Sequence, residues 1–193
     1  MAITNGITIS CSDLMAVGGI RTILIRSFAT GDTITYNNTS ALHEVTSITD
    51  TTGPTATWYA FEFKDQNPAL TVTAAKENGS TSYDCSLSFM MPEMDNLKGA
   101  LLQQMMDTCI MAIAIGNNDK YYCLGISQKY ENEKVTTRNQ TFASMTGAEG
   151  TTGAAYDDDS GWTVTLGCKQ WEAPRLYTGT IVLYTSGQQA TTT

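Results

Sequence analysis

The sequence predicts a mainly β fold, a β-sandwich or partial barrel, with one flanking α-helix at about residues 92–107. Three observations predict it. Several segments alternate apolar and polar residues with a period of two, the mark of a half-buried strand. Charged residues make up only 16% of the 193, and Thr, Ser, Asn and Gly fill the gap, a mixture suited to pleated surfaces and turns. A single stretch carries apolar residues at helical spacing.

In chain order, Ile3, Ile7 and Ile9 suggest an N-terminal strand. The opening Met1-Ala2-Ile3-Thr4-Asn5-Gly6 has neither the basic nor the apolar region of a signal peptide, so none is expected. Gly19 to Phe28 is apolar on both faces at Ile23, Leu24 and Ile25 and reads as a central strand covered on both sides. Residues 31–57 hold few large apolar side chains and read as a long loop. Between Thr57 and Lys64, Tyr59, Phe61 and Phe63 share a face. Leu70, Val72 and Ala74 then oppose Thr71 and Thr73, and Glu77-Asn78-Gly79-Ser80 supplies a hairpin turn, because Asn and Gly both tolerate positive φ. The clearest strand spans Ser82 to Met91, with Tyr83, Cys85, Leu87, Phe89 and Met91 against Ser82, Asp84, Ser86 and Ser88.

The helix follows. Pro92 suits a first helical position, Glu93 and Asp95 complement the helix dipole, and Met94, Leu97, Leu101 and Met105 form a stripe that Leu102 and Met106 widen. The apolar run Cys109–Ile115 is too short to span a bilayer. The turn Gly116-Asn117-Asn118-Asp119 joins it to Tyr121–Ile126. Gln128–Arg138 is a polar strand candidate, and residues 147–161 read as a second long loop. In the last clear strand Trp162, Val164, Leu166 and Cys168 oppose Thr163, Thr165 and Lys169. The tail 188–193 has no core-forming residues and is expected to be flexible. With no linker or repeat in between, residues 1–193 read as a single domain.

Eleven basic against nineteen acidic residues give a net charge of −8, with no basic run, which argues against a static grip on nucleic acid. Cys11, Cys85, Cys109, Cys123 and Cys168 are odd in number and widely spaced, so they read as buried free thiols rather than a disulfide framework or metal site. His43 is the single histidine, without a partner for a metal or a nucleophile elbow to serve. Asp157-Asp158-Asp159 lacks the alternating ligands and closing Glu of a calcium loop and reads as a solvated acidic turn, with cation binding left open. Glu131 and Glu133 share a strand face, either simply solvated or lining a water-filled lumen. Trp58 and Trp171 are the candidate contacts between subunits, since Trp is enriched where interfaces are anchored. No catalytic set, cofactor or metal is expected.

The order of motifs from Leu70 to Pro174 resembles the tail tube proteins of tailed bacteriophages. The matching pieces are the alternating strand, Glu77-Asn78-Gly79-Ser80, the long strand to Phe89, Pro92 with its helix and the apolar strand. Asn118-Asp119-Lys120-Tyr121-Tyr122-Cys123-Leu124-Gly125, a Gly/Asp-rich loop, Gly161 to Gly167 and Glu172-Ala173-Pro174 complete the set. The resemblance implies subunits that close into rings, commonly hexameric, whose sheets join into a continuous inner β-barrel. Rings would stack into a tube that conducts DNA at ejection, bridged by long loops and termini. Its partners would be copies of itself and other phage tail proteins. DNA would pass without specific binding, along a lumen to which Glu131 and Glu133 contribute negative charge. The chain would assemble in the host cytoplasm, reside in the virion tail, insert in no membrane and use no cofactor. Other ring-forming virion proteins, a tail terminator or a head-decoration protein, share this logic. A carbohydrate-binding β-sandwich stacking sugars on Trp58, Tyr59, Trp171 and Tyr177 is the reading from a different class.

Overall fold

A computed structural model describes residues 18–29, 31–37, 43–50, 56–63, 68–128, 142–155, 157–185 and 188–192. In chain order the elements are β1 (Ile20–Ser27), β2 (Thr33–Asn37), β3 (Glu44–Thr49), β4 (Thr57–Glu62), β5 (Ala69–Glu77), β6 (Ser80–Pro92) and α1 (Asn96–Met106). There follow β7 (Ile110–Gly116), β8 (Tyr121–Leu124), β9 (Ser144–Thr151), β10 (Gly161–Gln170), β11 (Leu176–Tyr177), β12 (Ile181–Thr185) and β13 (Gln188–Thr192). The fold is mainly β with one helix. Nine strands form a curled, half-barrel sheet in the order β13-β12-β4-β1-β7-β8-β11-β3-β2, and four form a second sheet in the order β5-β6-β10-β9.

The central strands of the larger sheet are buried on both faces, so apolar residues fall on both of their sides. β7, Ile-Met-Ala-Ile-Ala-Ile-Gly, is buried at every residue, and β1 is buried from Ile23 to Arg26. One face meets the smaller sheet: Ile23 and Ile25 of β1 and Ala112 and Ala114 of β7 pack with Leu87 and Phe89 of β6 and Val164 and Leu166 of β10. The other face fills the curl, where Leu24, Met111 and Ile113 meet Val45, Ile48, Trp58 and Tyr177. Fully burying each Val, Leu, Ile, Phe or Met among these side chains stabilises the fold by roughly 1.5–3 kcal/mol. Arg26, an oddity in an apolar strand, is held by Asp32 Oδ1 at 2.8 Å and Asp50 Oδ2 at 3.3 Å.

Both expected hairpins form. Asn78 and Gly79 turn between β5 and β6 with φ of 48° and 82°. The turn after β7 holds Asp119 at φ 57°, and β7 pairs with β8.

Several elements differ from expectation. The helix starts at Asn96, not Pro92, because β6 keeps its pairing with β10 through Pro92 opposite Gly161. Asp95 is the N-cap, its Oδ1 accepting the Lys98 N–H at 2.7 Å. Only Leu102 and Met105 of the helix are buried; Leu97 is 79% and Met106 66% exposed. The expected loop 31–57 contains β2 and β3, which pair antiparallel and contribute Val45 and Ile48 to the second core. Of the expected loop 147–161, residues 147–151 belong to β9. The tail is not free: β13 pairs with β12 from Gln188 to Thr192. Ile3, Ile7 and Ile9 and the polar strand candidate beyond Gln128 lie outside the described residues.

Candidate functional site

The smaller sheet is the feature that stands apart. Its registers align residues in rows across all four strands. On the core side, Leu70, Leu87, Leu166 and Met145 form one row. On the opposite side, Ala69, Ser88, Thr165 and Gly147 form a row, and Thr71, Ser86, Gly167 and Ser144 the next. Thr73, Asp84 and Lys169 follow, then Met90, Thr163 and Glu149 at the other end. That outer face is therefore mostly small or hydroxylated apart from Met90, with Asp84, Glu149 and, at the hairpin end, Glu77 against Lys169 as charges. Among the described residues nothing covers these positions: Thr71, Thr73, Asp84, Ser86, Thr163 and Glu149 are all exposed. The exposed alternate residues are what the period-two pattern foretold; the rows become visible only once the registers are known.

Among the described residues neither edge strand of this sheet, β5 at one end and β9 at the other, pairs with a further strand, although α1 packs against β9. An open edge presents unpaired backbone N–H and C=O groups, a template for another strand. β9 carries a bulge at Thr146, whose hydroxyl donates to the Thr165 carbonyl at 3.2 Å and lies over Gly167, where a Cβ would come within 2.7 Å of its methyl. Beside β5 the two sheets part around a groove of about 520 Å³ lined by Ile20, Leu70, Val72, Tyr122 and Pro174 among others. Val72 is 41% exposed there, an apolar side chain on the core side of the sheet that the chain leaves uncovered.

The segment after β10 leads into a buried ionic cluster. Arg175 forks onto Glu172, Nε to Oε1 at 2.9 Å and Nη2 to Oε2 at 3.1 Å, and also donates to Gln128 Oε1 at 3.1 Å. Its guanidinium lies 5.0 Å from the centre of the Tyr36 ring. Glu172 Oε1 accepts the Gln128 backbone N–H at 2.6 Å. Burial acts to raise the Glu172 carboxyl, but the hydrogen bonds from Arg175 and Gln128, together with the Arg175 charge, outweigh it and hold the carboxyl below its ordinary value. His43 sits at the edge of this cluster, its Nε2 3.3 Å from the Ala173 carbonyl oxygen and 3.7 Å from Glu172. The cluster fixes the chain where it leaves Gln128 and joins β11 to β3. Its geometry is that of a brace rather than a reaction centre, since the carboxylate oxygens are occupied by donors.

Cys85 of β6 and Cys168 of β10 face each other directly in register, both buried on the core side. A hydrogen bond between the two thiols raises Cys85, with burial adding to the rise. The same interaction lowers Cys168, against burial; the nearby Gly125 N–H donates to Gln170 Oε1 at 3.1 Å. Cys123 is buried in the second core and Cys109 is exposed.

Of the residues singled out in the sequence, Glu131 and Glu133 lie outside the described residues. Trp58, expected at a subunit contact, is instead wholly buried in the second core, because β4 turns it into the curl of the larger sheet. Trp171 is half-buried at the end of β10. Of the aromatics offered for sugar stacking, Trp58 and Tyr177 are buried, and Tyr177 donates its hydroxyl to the Thr180 carbonyl at 2.9 Å. Asp158 folds its carboxylate back onto the N–H groups of Ala154 and Ala155, at 2.8 and 2.7 Å. Among the described residues no group of three or more His, Cys, Asp or Glu is placed to hold a metal ion. No family model, curated protein or solved structure matches the chain.

Proposed function

We propose that this chain is a non-enzymatic virion subunit that closes with copies of itself into rings, and that the rings stack into the tail tube through which a bacteriophage ejects its DNA. The observation that carries this reading is the four-stranded sheet with two open edges, an uncovered apolar groove along one of them and a small, hydroxylated outer face. Its strands alternate in direction, so β9 runs opposite to β5. A neighbour's β5 laid along β9 therefore continues the antiparallel pattern, and the same step repeated closes a barrel without edges. The core-side row of the neighbour, with Met145, would then extend apolar packing into the groove at Val72. The outer face would become the lumen wall. Short hydroxyl side chains and an excess of acid over base give a DNA phosphate little to hold. The order of motifs from Leu70 to Pro174 supports the same reading.

The test is negative-stain electron microscopy and light scattering of the purified chain over a concentration series, with Val72→Asp alongside. Rings or tubes with a central hole are expected for the native chain, and a folded monomer for Val72→Asp. Single rings that never stack would favour a terminator. A native chain that stays monomeric at every concentration, tail-tip components included, overturns the proposal. Rings from Val72→Asp would leave the tube standing and remove the β5 edge from its interface.

A further inference from the structure

We propose that Cys85 and Cys168 are a dithiol that closes into a disulfide between β6 and β10, a reversible covalent staple in the middle of the smaller sheet, with a low-molecular-weight disulfide such as oxidised glutathione as the oxidant. The proposal is independent of ring assembly. It stands first on register: Cys85 is the direct cross-strand partner of Cys168. Directly opposed residues of antiparallel strands have Cα atoms about 4.5 or 5.5 Å apart, depending on the pair type. Both values fall inside the window of about 4.4–6.8 Å that a disulfide spans. It stands second on orientation. Both side chains point to the core face, where they belong to one apolar cluster as free thiols. Closing the bond needs no strand to slide or turn over.

The pairing is also selective among the described cysteines. Cys123 lies in the other core, on the far face of the larger sheet, and Cys109 precedes β7 at the surface. Neither can reach the pair without breaking a sheet.

The chemistry is thiol–disulfide exchange. The thiolate of Cys168 attacks one sulfur of oxidised glutathione, forming a mixed disulfide and releasing one glutathione thiolate. Cys85 then gives up its proton and attacks the Cys168 sulfur, expelling the second glutathione thiolate. The two protein thiols lose two protons and two electrons, and oxidised glutathione leaves as two molecules of glutathione. Attack beginning at Cys85 would give the same link by the same exchange. Because the two cysteines are far apart in sequence, the link removes a large amount of freedom from the unfolded chain.

The test is to unfold the full chain and refold it across a series of glutathione ratios, so that burial does not limit access. Free thiols are then alkylated and the peptides mapped without reduction. The expected result is a peptide pair linked through Cys85 and Cys168, formed at ratios where Cys109 and Cys123 still alkylate. The unfolding midpoint should rise by about 5 °C or more on oxidation. A second measurement treats the folded chain with diamide, an azo compound that takes up two thiol hydrogens, and expects the same link, absent in Cys168→Ser. A chain with native circular dichroism at the most oxidising ratio whose Cys85 and Cys168 remain alkylatable, carry glutathione or pair elsewhere overturns the proposal.

Discussion

Arg175 gathers contacts from Glu172 beside it, from Gln128 and from Tyr36, three places that are distant in the chain. Glu172-Ala173-Pro174 is conspicuous in the sequence, but Arg175 is not, because nothing local says that its partners arrive from β2 and from the segment beyond β8. The Arg26 brace is hidden for the same reason: a lone Arg in an apolar strand gives no sign of Asp32 and Asp50. Replacing Arg175 with Met should leave the Glu172 carboxylate buried without its countercharge and lower stability by about 3–5 kcal/mol, read from urea unfolding. The pH dependence has a definite sign. The folded Glu172 carboxyl is held below its ordinary value. Its contribution is therefore complete above the ordinary carboxylate range and is lost as pH falls through the folded value. The urea midpoint should drop on acidification from pH 5 toward pH 3, and less steeply in Glu172→Gln.

At the scale of elements, legibility follows burial. β6 and β10 bury one face against the core, so Cys85, Leu87 and Phe89, and Val164, Leu166 and Cys168, alternate with polar residues and announce themselves. β1 and β7 are covered on both sides and show apolar residues on both faces, Ile23 to Ile25 in β1 and the whole run Ile110 to Ile115 in β7. β9 is nearly all exposed, so alternation has no cause there and its Gly-Ala-Glu-Gly reads as loop. β3 offers only Val45 and Ile48, too few to mark a strand without knowing that β11 and β2 lie beside it. Of the candidate surface, the polar face of β6 and β10 could be read in advance; the open edges could not, because edge status is a property of the sheet. The connection between the sheets depends on Gly125. It sits at φ 73°, and a Cβ there would lie 2.5 Å from the Ala143 nitrogen and 2.8 Å from the Ile110 carbonyl oxygen. Those two residues exchange backbone hydrogen bonds at 2.9 Å that tie β7 to the start of β9. Gly125→Ala should cost about 3 kcal/mol and lower the thermal midpoint without changing the secondary structure of the survivors.

For the whole molecule the decisive fact is that β1 and β7 each contribute to both cores, Ile23 and Ala112 to one, Leu24 and Ile113 to the other. Neither core can melt while the other keeps these strands in place, so calorimetry should show one transition. Leu166→Ala in the first core and Ile113→Ala in the second should each shift that same transition, by about 2–5 kcal/mol. Two separated transitions, one moved by each variant, would mean that the cores are independent. The outer face of the smaller sheet carries a different consequence, for how such a sequence can drift. Its residues are joined to the core only through backbone, so selection on folding is almost blind to them. A demand for a smooth wall would admit Ser, Thr, Gly, Ala and Asn interchangeably and reject bulk. Related chains should then vary within that small set at Thr71, Thr73, Ser86, Ser88, Thr165 and Gly167. The intervening positions should hold their apolar volume, so kinship would be written in the periodicity of change more than in shared identities.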